Sequence, residues 1–187
     1  MKIDLITADT GPLIHLAAIG RLDLLKKVGH VQIPDLVVME ATVPGKPGSE
    51  EIREWIRQGI ADGHVSMPET STGELLRLAR ITKPDHRIKD GGERAILDWL
   101  IDNVEKADQS AMVVYENGKV PKLIQNHDSE LHSAVYTTRA FLSYCELREF
   151  IPSAEKLWGE LVGKVPTINQ KKDVYLSGRL VDEGYKP

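Results

Sequence analysis

Apolar residues along this chain fall into two kinds of pattern. Short unbroken runs mark buried strands, and longer stretches with apolar positions three and four apart mark helices. The runs are IDLITA at 3–8, VQI at 31–33 and AMVVY at 111–115, with HVSM at 64–67 as a further candidate. The helical stretches lie between and after them. LIHLAAIG follows Thr10-Gly11-Pro12, with Pro12 suited to a first helical position and Gly20 as its stop. RLDLLKKVG ends on Gly29 and carries Lys26 and Lys27 in its last turn, where cations favour the helix dipole. Pro34 opens DLVVMEAT. After the loop VPGKPGS at 43–49, Ser49 is placed to cap EEIREWIRQG, whose Ile52, Trp55 and Ile56 share a face.

The second half repeats the alternation. GELLRLAR is a candidate helix, TKPDHRIKD at 82–90 is a polar connection, and GGERAILDWLIDNV places Ile96, Leu97, Leu100 and Val104 at helical spacing. Residues 116–133 read as loop, with a short strand at KLI. TTRAFLSYCELREF is a helix capped by Thr137 or Thr138, and SAEKLWGELVG another, capped by Ser153 and closed by Gly163. The tail from Pro166 is polar and no structure is assigned to it. Strands alternating with helices predict an α/β fold with a parallel sheet, and in such sheets ligands sit outside the carboxyl ends of the strands.

Composition narrows this only a little. The 187 residues suffice for one domain with a sizeable core, and 41% hydrophobic with 28% charged residues is the balance of a globular protein. The formal net charge of −4 excludes nucleic-acid binding through bulk positive charge, so any such contact must use a local basic patch. No run of apolar residues is long enough to span a membrane, and the amino-terminal stretch, with Asp4 and Asp9, lacks the pattern of a signal peptide. A single cysteine, Cys145, fits a reducing cytoplasm.

Four carboxylates then stand out. Asp9 follows the first strand directly, where it or Thr10 could equally cap the next helix. Glu40 lies late in its helix after LVVM, facing the negative pole of the dipole at a cost of roughly 0.3–1 kcal/mol unless a partner compensates. Glu93 has the spacing of a capping box with Asp90, while Gly91-Gly92 before it would let another group approach the backbone closely. Glu116 ends AMVVY, where Asn117-Gly118 also reads as a simple turn. Each acid has its own bland explanation, but none of these accounts for the set. Four carboxylates in one pocket raise one another's pKa values, and a hard cation such as Mg²⁺ or Mn²⁺ removes that penalty. Such an ion can lower the pKa of a bound water and stabilise the charge of a phosphoryl transition state.

These motifs, ADTGPLIHLAAIGRLDLL, VVMEAT, GGERAIL and VVYENGK, together resemble a PIN domain over residues 1–150, leaving 151–187 as a carboxy-terminal helix and polar tail on or trailing the same domain. The resemblance implies a three-layer α/β/α fold with a central parallel sheet, and a metal-dependent ribonuclease with Asp9, Glu40, Glu93 and Glu116 as catalytic metal ligands for Mg²⁺ or Mn²⁺. It also implies a supporting role for Thr10, with Thr137 or Thr138 behind it. Many members are toxins of toxin–antitoxin pairs, so an antitoxin partner and a homodimer belong to the same expectation. The chain departs from the family where a strand usually ends in two aspartates. Here the pair is Glu116-Asn117, and Asp128 is a rival fourth ligand. A PIN-like module that binds a partner or nucleic acid without cutting is the alternative.

Other chemistry is thinner. GKPGSEE lacks the ending of a Walker phosphate loop, no Cys/His zinc spacing exists, and Asp9-Thr10-Gly11 lacks the paired aspartates of a phosphatase strand end. His127 and His132 flank Asp128 as a candidate second site, Cys145 reads as a packed thiol, and Arg87, Lys89, Arg94 and Lys119 are the cations placed to grip nucleic acid.

Overall fold

Leu5, Ile6, Thr7 and Ala8 are all buried, so strand β1 (Leu5–Ala8) is covered on both faces, as the inner strand of a parallel sheet must be. It is the centre around which a computed structural model places the rest. The structure describes residues 3–105, 107, 109–127, 133–168, 170 and 172–176. In chain order β1 is followed by α1 (Thr10–Ala18), α2 (Asp23–Val28), β2 (His30–Gln32), α3 (Asp35–Ala41), α4 (Ser49–Ala61), β3 (Val65–Ser66) and α5 (Ser71–Thr82). Then come α6 (Gly91–Trp99), β4 (Ala111–Tyr115), α7 (Lys119–Asn126), β5 (Ser133–Thr137), α8 (Thr138–Leu147), α9 (Ala154–Lys164) and β6 (Val174–Leu176).

Among the described residues the sheet has six strands in the order β3-β2-β1-β4-β5-β6. The first five are parallel, and β6 runs antiparallel against β5, so the sheet is mixed. Helices surround it, as a three-layer α/β/α architecture requires. From β1 the chain steps one way to β2 and β3, then crosses to the other side for β4 and β5. The order therefore switches between β1 and β4, whose register pairs Ala8 with Val114. The crevice outside the carboxyl ends of these two strands is where an open α/β sheet binds ligands. Asp9 and Glu116 are the next residues of the two strands, and the Asp9 amide donates to the Val114 carbonyl at 2.8 Å.

One core runs through the molecule. Trp99, Phe141, Tyr136 and Leu161 belong to the same buried cluster as β1 and β4, so α9 packs into the core that the amino-terminal strands build. Trp99 satisfies its buried indole by donating to Gln32 Oε1 at 2.6 Å, which ties α6 to β2.

Several local expectations are corrected. The segment at KLI is not a strand but part of α7, where Val120, Pro121 and Ile124 form the buried face. Ser133–Thr137 is a fully buried strand rather than loop and helix start, and Val174–Leu176 adds a strand in the tail. Ser49 is the first residue of α4 and not its cap. The cap position falls on Gly48, whose φ of 73° suits glycine. The helix opened at Gly91 changes at Leu100 into a π-helical turn, Leu100–Glu105. Thr137, rather than Thr138, caps α8, and Ser153 caps α9.

The close approach of α4 to β3 gives a test of packing. A Cβ on Gly59 would lie 2.3 Å from Val65 Cγ2. Gly59→Ala is therefore expected to lower stability by about 1–3 kcal/mol, as overpacking does, despite alanine's better helix propensity. Urea denaturation reads this directly, and an unchanged midpoint would mean that β3 yields freely.

Candidate active site

Asp9 leaves β1 in an extended conformation and caps α1, its Oδ1 accepting the Thr10 amide at 2.8 Å. Capping and site membership are thus two uses of one side chain. It is 5% exposed. Burial pushes its pKa up to about 7. The Thr10 amide opposes that shift, and Glu93, Glu40 and Glu116 add to it, the largest of the three being Glu93. Three further carboxylates therefore surround Asp9 closely enough to act on its charge.

Glu40 stands in the last turn of α3. Burial raises its pKa and Glu93 raises it further, while the Thr10 hydroxyl, the Gly92 amide and Lys46 pull it down. Thr10 Oγ1 donates to Glu40 Oε2 at 3.3 Å. Thr10 thus holds two acids at once, Asp9 through its amide and Glu40 through its hydroxyl. Gly92 explains how Glu40 fits. A Cβ there would come within 2.9 Å of Glu40 Oε2, so a larger residue would push this carboxylate aside.

Glu93 is not the partner of a capping box. Asp90 has a φ of 55°, makes no cap bond to α6, and pairs instead with Lys119 Nζ. Glu93 Oε1 accepts from Asn117 Nδ2 at 3.0 Å and lies 3.9 Å from Lys119 Nζ. Asn117, the departure from the family's acidic pair, therefore serves to orient Glu93.

Glu116 turns back from β4 over α1. A Cβ on Gly11 would lie 3.0 Å from Glu116 Cγ, and His15 Nδ1 is 3.3 Å from Glu116 Oε1. Gly11 and His15 are four apart on α1 and so share the face that meets Glu116. Sequence reasoning missed His15. The available signal was that spacing beside Asp9, but it has meaning only once β4 is known to lie next to β1.

The remaining candidates divide. Lys119 joins the site through Glu93. Lys89 and Arg94 act electrostatically on Asp90, and Arg87 lines a groove beside Glu40. Thr137 is occupied as a helix cap and with the main chain of Asp173. His127 Nε2 lies 3.5 Å from Glu105 Oε2. Asp128 and His132 lie outside the described residues. Cys145 is buried and its thiol is pushed up to about 12, which keeps it protonated and unreactive.

The donor set suits a hard cation: all four side chains offer carboxylate oxygen, Asp9 is taken out of water, and two glycines make room for two of the glutamates. Among the described residues no three Asp, Glu, His or Cys side chains already converge as a finished metal cage. Each acid rests on its own support, Thr10, Asn117 or His15.

Residues 5–80 match the family model described as a PIN domain, the family whose motifs the sequence resembles and a nuclease-type fold. The matched stretch holds β1 to α5 with Asp9 and Glu40, and stops short of Glu93 and Glu116. No curated protein matches the chain.

The raised pKa of Asp9 fixes the sign of a pH effect. The fold favours the neutral acid, so this contribution to stability is whole below about pH 4 and is lost as pH rises through about 7. In chelator, Asp9→Asn is expected to be more stable than the parent near neutral pH. The gain is a few kcal/mol at most, since each pKa unit is about 1.4 kcal/mol. It should vanish in acid. Urea midpoints at both ends of that pH window check it, and an equal difference at both would contradict the assignment.

Proposed function

On the premise of the PIN-domain match, we propose that this chain is a divalent-metal-dependent ribonuclease, with Asp9, Glu40, Glu93 and Glu116 holding Mg²⁺ or Mn²⁺. The observation that carries the reading is the buried Asp9 at the sheet's switch point, with three glutamates acting on its charge. The bound ion would supply a water of lowered pKa and a counter-charge for the phosphoryl transition state.

The chain's own residues do the rest. Thr10 fixes Asp9 and Glu40 relative to each other. Asn117 orients Glu93 from the start of the β4–α7 connection. His15 sits behind Glu116 and limits where that carboxylate can swing. Lys119, between Asp90 and Glu93, offers a cation at the mouth of the site to a phosphate oxygen. RNA is the substrate class the resemblance implies. A toxin role with an antitoxin partner, a homodimer and action in the cytoplasm follow from the same source. The exposed Leu75, Leu78 and Ile81 on α5 give such a partner a surface to cover. Among the described residues no helix is long and apolar enough to cross a membrane.

The second reading is a PIN-like module that binds without cutting. It is favoured by Asn117 in place of an acid and by the carboxylates' individual supports. Titration calorimetry with Mn²⁺ separates the two, since absence of binding up to millimolar metal would favour the second.

Asp9→Asn and Glu93→Gln are each expected to cut an RNA oligonucleotide at least about 100-fold more slowly in Mn²⁺, with circular dichroism unchanged. Cleavage at the parental rate by both would sink the ribonuclease reading. Asn117→Ala should weaken Mn²⁺ binding roughly 10–100-fold, the usual cost of losing a group that orients a ligand, and calorimetry on the folded variant measures it.

A further inference from the structure

Beside the acid site, a groove of about 510 Å³ runs between α3, α5 and the segment leading into α6. Its apolar wall is made by Leu36, Met39, Leu76 and Ile88, with Met39 37% exposed. Glu40 and Gly91 also line it, as do Lys46, Arg80 and Arg87. Its volume lies within the roughly 300–1,000 Å³ of clefts that hold small ligands.

We propose that this groove is a subsite for one unpaired nucleotide of a single-stranded RNA whose backbone continues into the acid site. The proposal rests on the reading that the acid site receives a phosphodiester.

Three observations carry it. The first is charge. Among the described residues none of the three groove cations forms an ion pair. Lys46 Nζ donates to the Glu40 main-chain carbonyl at 3.1 Å, Arg80 Nε to the His86 carbonyl at 3.1 Å, and Arg80 Nη1 to Met39 Sδ at 3.3 Å. These acceptors are neutral; Lys46 also acts on the nearby Glu40 carboxylate, so among the described residues Arg80 and Arg87 are the groove's cations without an acidic partner. Arg77, one turn earlier on α5, shows the contrast, being paired with Asp35 and Glu69. An acidic chain with a net charge of −4 that still leaves two arginines without an acidic partner beside one groove has a surface complementary to an anion there.

The second observation is the combination of that rim with an apolar wall. A free phosphate or a simple carboxylate would have no use for Leu36, Leu76 and Ile88. A nucleotide has both an anion and a flat, largely apolar ring. Arg80 is anchored against Met39, which brings a guanidinium plane to the apolar wall, the pairing on which unstacked bases settle. The third observation is continuity. Glu40 belongs to both places: its carboxylate is held by Thr10 in the acid site, while its carbonyl holds Lys46 at the groove. A chain with a phosphate at Asp9 and Glu93 therefore meets the groove at the adjoining residue. A base enters such a cleft only when it is free of a complementary strand, so the occupant is single-stranded.

The test is fluorescence anisotropy with labelled oligoribonucleotides and the full-length protein in excess chelator, where binding is read without cleavage. A single strand is expected to bind better than a duplex of equal length. Removing one base from the strand should weaken binding roughly 5- to 100-fold at the position that occupies the groove. R80Q with R87Q should lower affinity about tenfold and shallow the salt dependence by about 0.7 for each phosphate that is no longer neutralised. Should that double variant lose its native circular dichroism, Met39→Glu at the exposed wall is the alternative, and it should weaken binding comparably. Equal binding of duplex, indifference to base removal at every position, or undiminished binding by the folded variants would each overturn the proposal. Displacement of the oligonucleotide by poly-glutamate, coupled with indifference to base removal, would assign the groove to an acidic peptide instead. The two readings fail separately. Binding with these properties but no cleavage in Mn²⁺ leaves the groove standing and removes the nuclease. Cleavage with KM unchanged in the double variant does the reverse.

Discussion

A carboxylate taken out of water at the end of a central strand constrains everything placed near it. Asp9 is covered because β1 is flanked by β2 and β4 and capped by α1, so its position follows from the sheet order itself. A lone buried acid could be satisfied by the single amide of Thr10. The chain instead brings Glu40, Glu93 and Glu116 toward it, each raising the cost of ionising Asp9. Such a cluster is destabilising as a piece of folding, and proteins accumulate that kind of local conflict where a function requires it.

The neighbours of the acids show how the fold accommodates the conflict. Gly92 and Gly11 remove side-chain volume where Glu40 and Glu116 come closest to backbone. Thr10, Asn117 and His15 meet the glutamates with polar groups, and Lys119 ties the start of α7 to the left-handed Asp90 before α6. These residues come from α1, from the start of the β4–α7 connection and from α7 itself. The site is therefore stiffened from the elements on either side of the switch point rather than from one loop.

Much of this was legible in the sequence, for reasons that can be named. β1 and β4 are unbroken apolar runs, so the acids that follow them were visible as strand-end residues. Glu40 stood out because an acid late in an apolar helix is out of place by its dipole. β5 was hidden because SAVYT mixes Ser and Thr with apolar residues, and only burial on both sides makes it a strand. α7 was hidden by a proline and a short apolar run, although Pro121 in a first helical turn is compatible with helix. The capping box at Asp90 failed because spacing does not reveal a left-handed backbone. His15 and the Arg80 groove were out of reach altogether, since both depend on which elements lie side by side.

The register of β1 against β4 also bears on how the molecule comes into being. Leu5 pairs with His30 and with Ala111, so one neighbour of β1 is close in sequence and the other lies far along the chain. Local pairings close first because their loops cost less entropy. As synthesis proceeds from the amino terminus, β1, β2 and α3 can associate while Glu93 and Glu116 have not yet been made. A partly built chain therefore holds Asp9 and Glu40 alone, and the full acid set exists only after β4 has docked. The acid set is thus finished by the docking of β4, before β5 and β6 finish the sheet, and until then the growing chain carries only part of it.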